Sequence, residues 1–440
     1  MTRRSKPLPL DEFTAEIGDL SHDGNGVART DGKVVFIRGA LPGERVRYRL
    51  TRRSRDADEG TVTAVERASP DRTEPRCAHF GLCGGCSLQH LAPEAQLRFK
   101  QKQLLDALVR IGKVQPREVA PALTGPAWGY RRRARLGVKH VPKKQRVLVG
   151  FRERASPFIA AIDSCAVLDP RVGARLSALA DLVGSLALRE QIPQIEVAAV
   201  GTVALVLRVM RKPEESDLDK LRDFARAEGF ALYLQTGGLD SVTPLDPAQP
   251  PLAYSPDGSE LALEFAPTDF IQVNGAVNEQ MVRQAITWLA PATGDSVLEL
   301  FSGLGNFTLP LARGGLRVTA VEGDGALVER ARANAARNQL DARFVKADLF
   351  AADTDADWLR QGYDLALLDP PRAGAREILP ALAKAGPRRI VYVSCHPGTL
   401  ARDAGELVHK HGYALIRAGV MDMFPHTTHV ESMALFERDR

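Results

Sequence analysis

Cys395 stands directly after an apolar, largely β-branched run, Arg389–Val393, and just before Pro397-Gly398. Such a run reads as a strand buried on both faces of a parallel sheet, which the Pro-Gly pair stops. A thiol at the carboxyl end of a parallel strand lies where open α/β sheets hold their ligands. Alone it would be a small buried hydrophobe; its company argues otherwise. Asp369 ends a second apolar run, Leu365–Leu368, and leads into Pro370-Pro371-Arg372. Those prolines end ladder pairing, which places Asp369 and Arg372 over the same crevice. Gly303 and Gly305 follow a third run, Ser296–Leu300, and allow a tight strand-to-helix turn that aims N–H groups at a ligand. Glu322 ends a fourth run about twenty residues further on, where a carboxylate receives ribose hydroxyls.

The third glycine of a dinucleotide fingerprint is missing, since Phe307 is followed by Thr308 and Leu309. A nucleoside such as S-adenosylmethionine fits this turn better than a dinucleotide. A thiolate beside a methyl donor defines a particular chemistry. C5 of a uracil is not nucleophilic until a thiolate adds at C6; C5 then displaces the methyl group from sulfonium, and a base removes the C5 proton so that the thiol can leave.

A second constellation is Cys77-x5-Cys83-x2-Cys86, with glycines at 81, 84 and 85. The glycines make a tight loop in which sulfurs can converge and N–H groups can turn toward them. Cys165 is the one remaining cysteine besides Cys395. Four thiolates suit an iron–sulfur cluster or zinc. Zinc sites favour two paired C-x2-C units, which this spacing lacks, although His79 and His90 could substitute as ligands. Five cysteines in a chain without a secretory signal argue against a disulfide framework.

The elements that position these groups fall into three segments. Residues 1–68 read as a small oligonucleotide-binding type β-barrel: strands Phe13–Leu20, Lys33–Ile37, Arg45–Leu50 and Gly60–Val65, with glycine turns between them. Arg45, Arg47 and Arg49 alternate with Val46, Tyr48 and Leu50, so one face is cationic. Residues 69–265 read as an α+β central domain carrying the cysteine loop. It holds a helix at Glu94–Ile111, strands at Tyr130–Val138, Val147–Phe151, Ile195–Met210 and Ala231–Gln235, a helix at Ser216–Ala227 and a linker at Gly237–Gly258. Residues 266–440 read as a regular Rossmann-like α/β domain that closes with the strand pair Tyr413–Val420 and Ser432–Phe436.

The 440 residues carry a net charge of +5. The positive charge is clustered: Arg45–Arg55 holds six arginines and Arg131–Arg146 eight Lys or Arg, neither with an acid. That is the footprint of a phosphate backbone. No run approaches the roughly 18 apolar residues of a membrane span, and the start lacks a signal core, so a cytoplasmic protein is expected.

Phe270-Ile-Gln-Val-Asn274, Asp369-Pro-Pro-Arg-Ala-Gly374, Ser394-Cys395 and Asp422–Met433 resemble the RNA (uracil-C5)-methyltransferase family over nearly the whole chain. The resemblance implies a TRAM-like barrel, a cluster-bearing central domain and an S-adenosylmethionine-dependent methyltransferase domain. It implies Cys395 as nucleophile and Glu431 as general base. It further implies Gln272, Phe301, Asn306, Glu322, Asp348 and Asp369 as the donor site, and Cys77, Cys83, Cys86 and Cys165 as ligands of a structural [4Fe–4S] cluster. Because tRNA-specific relatives are expected to lack the barrel and these cysteines, 23S ribosomal RNA is the expected partner of a monomeric enzyme. A uridine substrate must leave its stack, and Phe270 is a candidate stacking partner. Ser302 replaces a usual Cys, Glu299 a frequent Asp, and His396 a common Asn. The alternatives are a non-catalytic RNA-binding protein whose cluster senses redox state and a uracil-C5 methyltransferase acting on another RNA.

Overall fold

The computed structural model describes residues 11–30, 32–351 and 356–438. Two compact units emerge. The first comprises Met1–Gly81, Cys86–Gln103 and Pro425–Thr428; the second comprises Leu82–Gly85, Leu104–Phe424 and His429–Arg440. Cys77 and Cys86 therefore belong to the first, and Cys83, Cys165 and Cys395 to the second. Among the described residues no helix is long and apolar enough to cross a membrane.

In the first unit six strands form one sheet, ordered Phe13–Glu16, Arg45–Arg53, Ala57–Arg67, Lys33–Arg38, Gly26–Thr30, Asp19–Leu20. The expected strand Phe13–Leu20 is two strands. Residues 13–16 pair with 45–48, whereas Asp19–Leu20 pair with Gly26–Val27. The Ile17 N–H donates to the Glu44 carbonyl (2.9 Å) and the Gly18 N–H to the Val27 carbonyl (3.0 Å), so the chain turns a corner and joins the two sheet edges. Val46, Tyr48 and Leu50 are buried with Ile37 and Val35, and Arg45, Arg47 and Arg49 are exposed, as the alternation requires. The cationic row is not bare. Arg45 and Arg47 pair with Glu66 (3.1 and 3.4 Å), and Arg47 and Arg49 both reach Glu12 (3.1 Å each). Gly60 is required where it stands: a Cβ there would lie 2.6 Å from Cδ2 of the Tyr48 ring.

The second unit holds two larger sheets. One is mixed, ordered Val242–Pro244, Phe230–Gln235, Thr202–Arg208, Gln194–Val200, Arg133–Val141, Arg146–Gly150. The expected long strand Ile195–Met210 is an antiparallel hairpin turning at Gly201 (φ +60°). A continuous apolar run hides such a turn, because both arms are buried. The helix Leu176–Ser185, not foreseen from sequence, covers this sheet with Leu176, Leu179 and Val183. The expected helix Glu94–Ile111 is α-helical over Pro93–Ala107 and ends in a π-turn, Leu108–Gly112. The expected linker contains the strand Leu252–Tyr254, paired with Leu263–Phe265.

The other sheet has eight strands, ordered Arg343–Lys346, Arg317–Glu322, Ser296–Leu300, Leu365–Leu368, Arg389–Ser394, Glu431–Glu437, Ala414–Met421, Glu118–Val119. The first five are parallel; Glu431–Glu437 runs antiparallel to Arg389–Ser394. Strand order reverses between Ser296–Leu300 and Leu365–Leu368. That reversal opens a crevice at the carboxyl ends of the strands, where open α/β sheets bind ligands.

Candidate active site

A cavity of about 540 Å³ opens at this reversal. Its wall includes Gln272, Phe301, Asn306, Glu322, Asp348 and Asp369, the expected donor-site residues, together with Arg372, Cys395 and Glu431. Most arrive by a short route from a strand end; Gln272 comes from the segment just before the helix Gly275–Leu289. Gly303 (φ +55°) and Gly305 (φ +93°) adopt the left-handed conformation that lets the first strand turn sharply into the helix Thr308–Arg313. The Gly303 N–H donates to Glu322 Oε2 (3.0 Å) and the Asp324 N–H to Oε1 (2.9 Å). Both bonds fix the carboxylate and leave it lone pairs with which to accept from a ligand. Phe301 is also left-handed (φ +63°), an uncommon state for an aromatic residue, and its ring lies 5.8 Å from that of Phe350.

Asn306 is clamped from two sides. Tyr254 Oη donates to its Oδ1 (3.1 Å), and Asn278 exchanges two side-chain bonds with it (3.0 and 3.1 Å). Tyr254 is buried, which pushes its phenol up to about 12 and keeps it a donor. Arg132 Nε donates to the Gln272 carbonyl (2.8 Å), and its guanidinium lies 4.9 Å from the Tyr254 ring centroid. Part of the second basic cluster is thus internal scaffolding. Arg133 likewise pairs with Glu196 (2.9 Å) inside the fold. Sequence reasoning missed Tyr254 and Asn278. Tyr254 sits in the segment read as linker, and Asn278 looks like any polar residue on a helix, so neither carried a local signal.

The strands Arg389–Ser394 and Glu431–Glu437 bring Cys395 and Glu431 to the same end of the sheet. Ser394 pairs with Ser432, and Cys395 and Glu431 both lie at that end of the two strands and on the cavity wall. Glu431 is buried, and Cys395 is half-buried. Burial first, then the nearby Glu431 and Asp369 carboxylates, push the Cys395 thiol up to about 11, while Arg372 acts in the opposite sense. Asp369 itself is pushed up to about 7 by burial. His396, one of the departures from the family pattern, caps the next helix: its Nδ1 accepts from the Thr399 N–H (3.2 Å) at the start of Pro397–His411. Below the glycine turn Glu299 is buried, accepts from Thr308 Oγ1 (2.5 Å), and is pushed up to about 8, mainly by burial.

The carboxylates of Glu322, Asp348, Asp369 and Glu431 outnumber the single guanidinium of Arg372 around the cavity. Such a site suits a ligand with positive charge on a nucleoside frame, which is what a sulfonium methyl donor presents. Phe270, 71% exposed, stands at the rim.

Cys77, Cys83, Cys86 and Cys165 are all half-buried. The Gly85 N–H points at Cys83 Sγ (3.4 Å), as the glycine spacing suggested. Among the described residues no group of three or more His, Cys, Asp or Glu side chains is gathered to hold a metal ion.

Fold and site together define a Rossmann-like α/β enzyme that holds a cationic nucleoside beside a strand-end cysteine. The model of the tRNA (uracil-5-)-methyltransferase family matches residues 94–439, and that of the TRAM domain matches residues 11–62. The chain belongs to this methyltransferase family. It is 54% identical over 442 residues to the 23S rRNA (uracil(1939)-C(5))-methyltransferase RlmD of Alkalilimnicola ehrlichii, covering 100% of this chain and 99% of that protein. The protein of that name from Xanthomonas axonopodis pv. citri is 51% identical over 443 residues, with both chains fully covered. Among solved structures, the Pyrococcus abyssi tRNA (uracil-54, C5)-methyltransferase in complex with S-adenosyl-L-homocysteine superposes with a TM-score of 0.74 at 25% identity, over 96% of this chain and 99% of that one. A tRNA enzyme that matches 96% of the chain includes a counterpart of most of the barrel. The barrel by itself therefore does not separate ribosomal from transfer RNA enzymes, whereas the RlmD relatives support the expectation of 23S ribosomal RNA.

Proposed function

We propose that this protein methylates C5 of a uridine in 23S ribosomal RNA, with S-adenosylmethionine as donor and Cys395 as covalent nucleophile. The observation that carries the mechanism is that Cys395 and Glu431, at the paired ends Ser394 and Ser432 of adjacent strands, share the wall of the donor cavity, with the Glu431 carboxylate close enough to raise the Cys395 thiol. The choice of RNA rests on two relatives above 50% identity over their full length. The residues fit the donor: Glu322 receives the ribose, Asn306 and Gln272 line the approach, and the surrounding carboxylates balance its positive charge. The donor supplies a methyl cation equivalent to C5.

The chain's own groups do the rest. Cys395 gives its proton to solvent and adds through sulfur to C6, which shifts the C5–C6 π electrons toward C5 and O4. C5 takes the methyl group and its sulfonium becomes a neutral thioether. Glu431 then takes the C5 proton; the C5–H electrons re-form C5=C6 as the C6–S bond breaks, returning the thiolate. Phe270 stacks on the extruded base at the rim.

The same reading divides the chain at residues 68 and 265 into an RNA-binding barrel, a central domain and a methyltransferase domain, acting as a monomer in the cytoplasm. Cys77, Cys83, Cys86 and Cys165 would hold a structural [4Fe–4S] cluster; the reading is supported by the ligand type, the glycine-rich spacing and the Gly85 N–H directed at sulfur, and no step of methyl transfer runs through it.

The test is methyl transfer from labelled donor to a 23S ribosomal RNA fragment, with the product mapped. Wild type should form 5-methyluridine, and with 5-fluorouridine RNA it should form a covalent complex stable to denaturant. Cys395→Ala should do neither. Product formed by Cys395→Ala would overturn the covalent mechanism, and methylation of transfer RNA alone would overturn the substrate.

A further inference from the structure

The central sheet has an outer face that the methyl-transfer chemistry does not use. Along Arg133–Val141, Ala134, Leu136 and Val138 enter the core, while Arg135 and Lys139 are exposed on the other side. The register sets Gly137 against Gly150 and Lys139 against Leu148. Two facing glycines leave a hollow. The chain beyond Gly150 folds back across it: the Ala160 N–H donates to the Phe151 carbonyl (2.9 Å) and the Glu153 N–H to the Phe158 carbonyl (2.8 Å). Ile159 then lies over Gly137, where a Cβ would come within 2.3 Å of its Cδ1. The result is a groove of about 660 Å³. Phe151 and Ile159 line it, Arg135, Lys139 and Arg152 contribute three cations, and no carboxylate is among its lining residues. Phe158, also on its wall, is 69% exposed. Arg135 donates to Glu196 (2.9 Å) on the adjacent strand, yet its side chain remains 70% exposed.

We propose that this groove is a docking site for an unpaired RNA nucleotide, with Phe158 stacking on the base and Lys139 and Arg152 meeting the flanking phosphates. The proposal rests on the reading of the protein as an RNA-modifying enzyme and adds a second contact to it. Its argument is charge complementarity joined to an aromatic face. An exposed ring costs free energy in water and serves a base of any identity, and cations beside it serve the backbone; single-stranded nucleic acid is the partner that uses both. An enzyme that extrudes one uridine also leaves its neighbours without their stack, and such bases need a host. An apolar protein segment would use the floor and leave Lys139 and Arg152 without a role.

The experiment uses the full-length protein and the same 23S ribosomal RNA fragment as the methylation assay. Binding is read by fluorescence anisotropy, and turnover by KM and kcat. Phe158→Ala should weaken RNA binding about tenfold and raise KM for RNA while leaving the affinity for S-adenosylmethionine unchanged. Phe158→Tyr should restore binding. Phe158→Leu, apolar but without a π-face, should remain weak. Lys139→Ala should lower the slope of log affinity against log salt by about 0.7, as one lost single-strand phosphate contact does. Fragments carrying 4-thiouridine should crosslink to the peptide spanning 151–159. Unchanged RNA affinity in Phe158→Ala overturns the proposal. Full restoration by Leu overturns it in favour of an apolar protein segment. Failure of the RNA-methylation reading shows separately, as wild-type enzyme that transfers no methyl group to the fragment.

Discussion

The thiol of Cys395 should be a poor nucleophile in the free enzyme, and its reactivity should be set by its neighbours. Burial and the Glu431 and Asp369 carboxylates hold it near 11 rather than 9. At pH 8 about one ordinary thiol in ten is ionised but only about one in a thousand at Cys395, roughly a hundredfold less thiolate. A more basic thiolate is intrinsically more reactive; with a Brønsted coefficient of about 0.45, that difference returns roughly eightfold. The net expectation is alkylation about tenfold slower than for an unperturbed thiol. The assay is iodoacetamide labelling from pH 7 to 11, with each cysteine followed by peptide mass spectrometry. The Cys395 rate should climb about tenfold per pH unit until it levels near 11. Glu431→Gln removes a negative neighbour and should bring the plateau to lower pH. S-adenosylmethionine, bearing a cation, should do the same, and neutral S-adenosylhomocysteine should not. A plateau at or below pH 9, or slower labelling in Glu431→Gln, would refute the electrostatic reasoning, because both would mean that the carboxylates do not govern the thiol.

Three further outcomes follow from the same geometry. Glu431→Gln keeps the nucleophile and loses the base, so a methylated enzyme–RNA adduct should accumulate on denaturing gels in a donor-dependent way; normal turnover would remove Glu431 from that role. Glu299, whose folded pKa of about 8 exceeds the ordinary 4.5, binds more protons folded than unfolded between those values, so its contribution to stability is complete below pH 4.5 and lost as pH rises through 8. Glu299→Gln does not titrate, and its advantage over wild type in urea unfolding should grow from near zero at pH 4.5 to an upper bound of about 3 kcal/mol at pH 7; a pH-independent difference would show that the carboxyl is not strained by burial. Anaerobically purified wild type should contain about four irons with matching sulfide and Cys83→Ser should lose them, whereas stoichiometric zinc in wild type would replace the cluster reading.

How much of this was legible in the sequence depends on the range of the interactions involved. The strand ends carrying Glu322, Asp369 and Cys395, and the glycine turn at 303–305, were readable because an apolar run and its breaker are local. Every expected donor-site residue lines one cavity; all but Gln272 do so because parallel strands joined by helices finish on the same edge of the sheet. Other features required the tertiary structure. Glu431 looks like a surface acid until antiparallel pairing with Arg389–Ser394 buries it on the cavity wall that also carries Cys395. Tyr254 and Asn278 meet Asn306 only because distant segments pack there. The arginines of the barrel have acids supplied across the sheet by Glu12 and Glu66, and Arg132 and Arg133 are drawn inward as scaffold. Composition records which charges a chain carries, but pairing and burial decide which of them remain available, and those are set by contacts between residues far apart in the sequence.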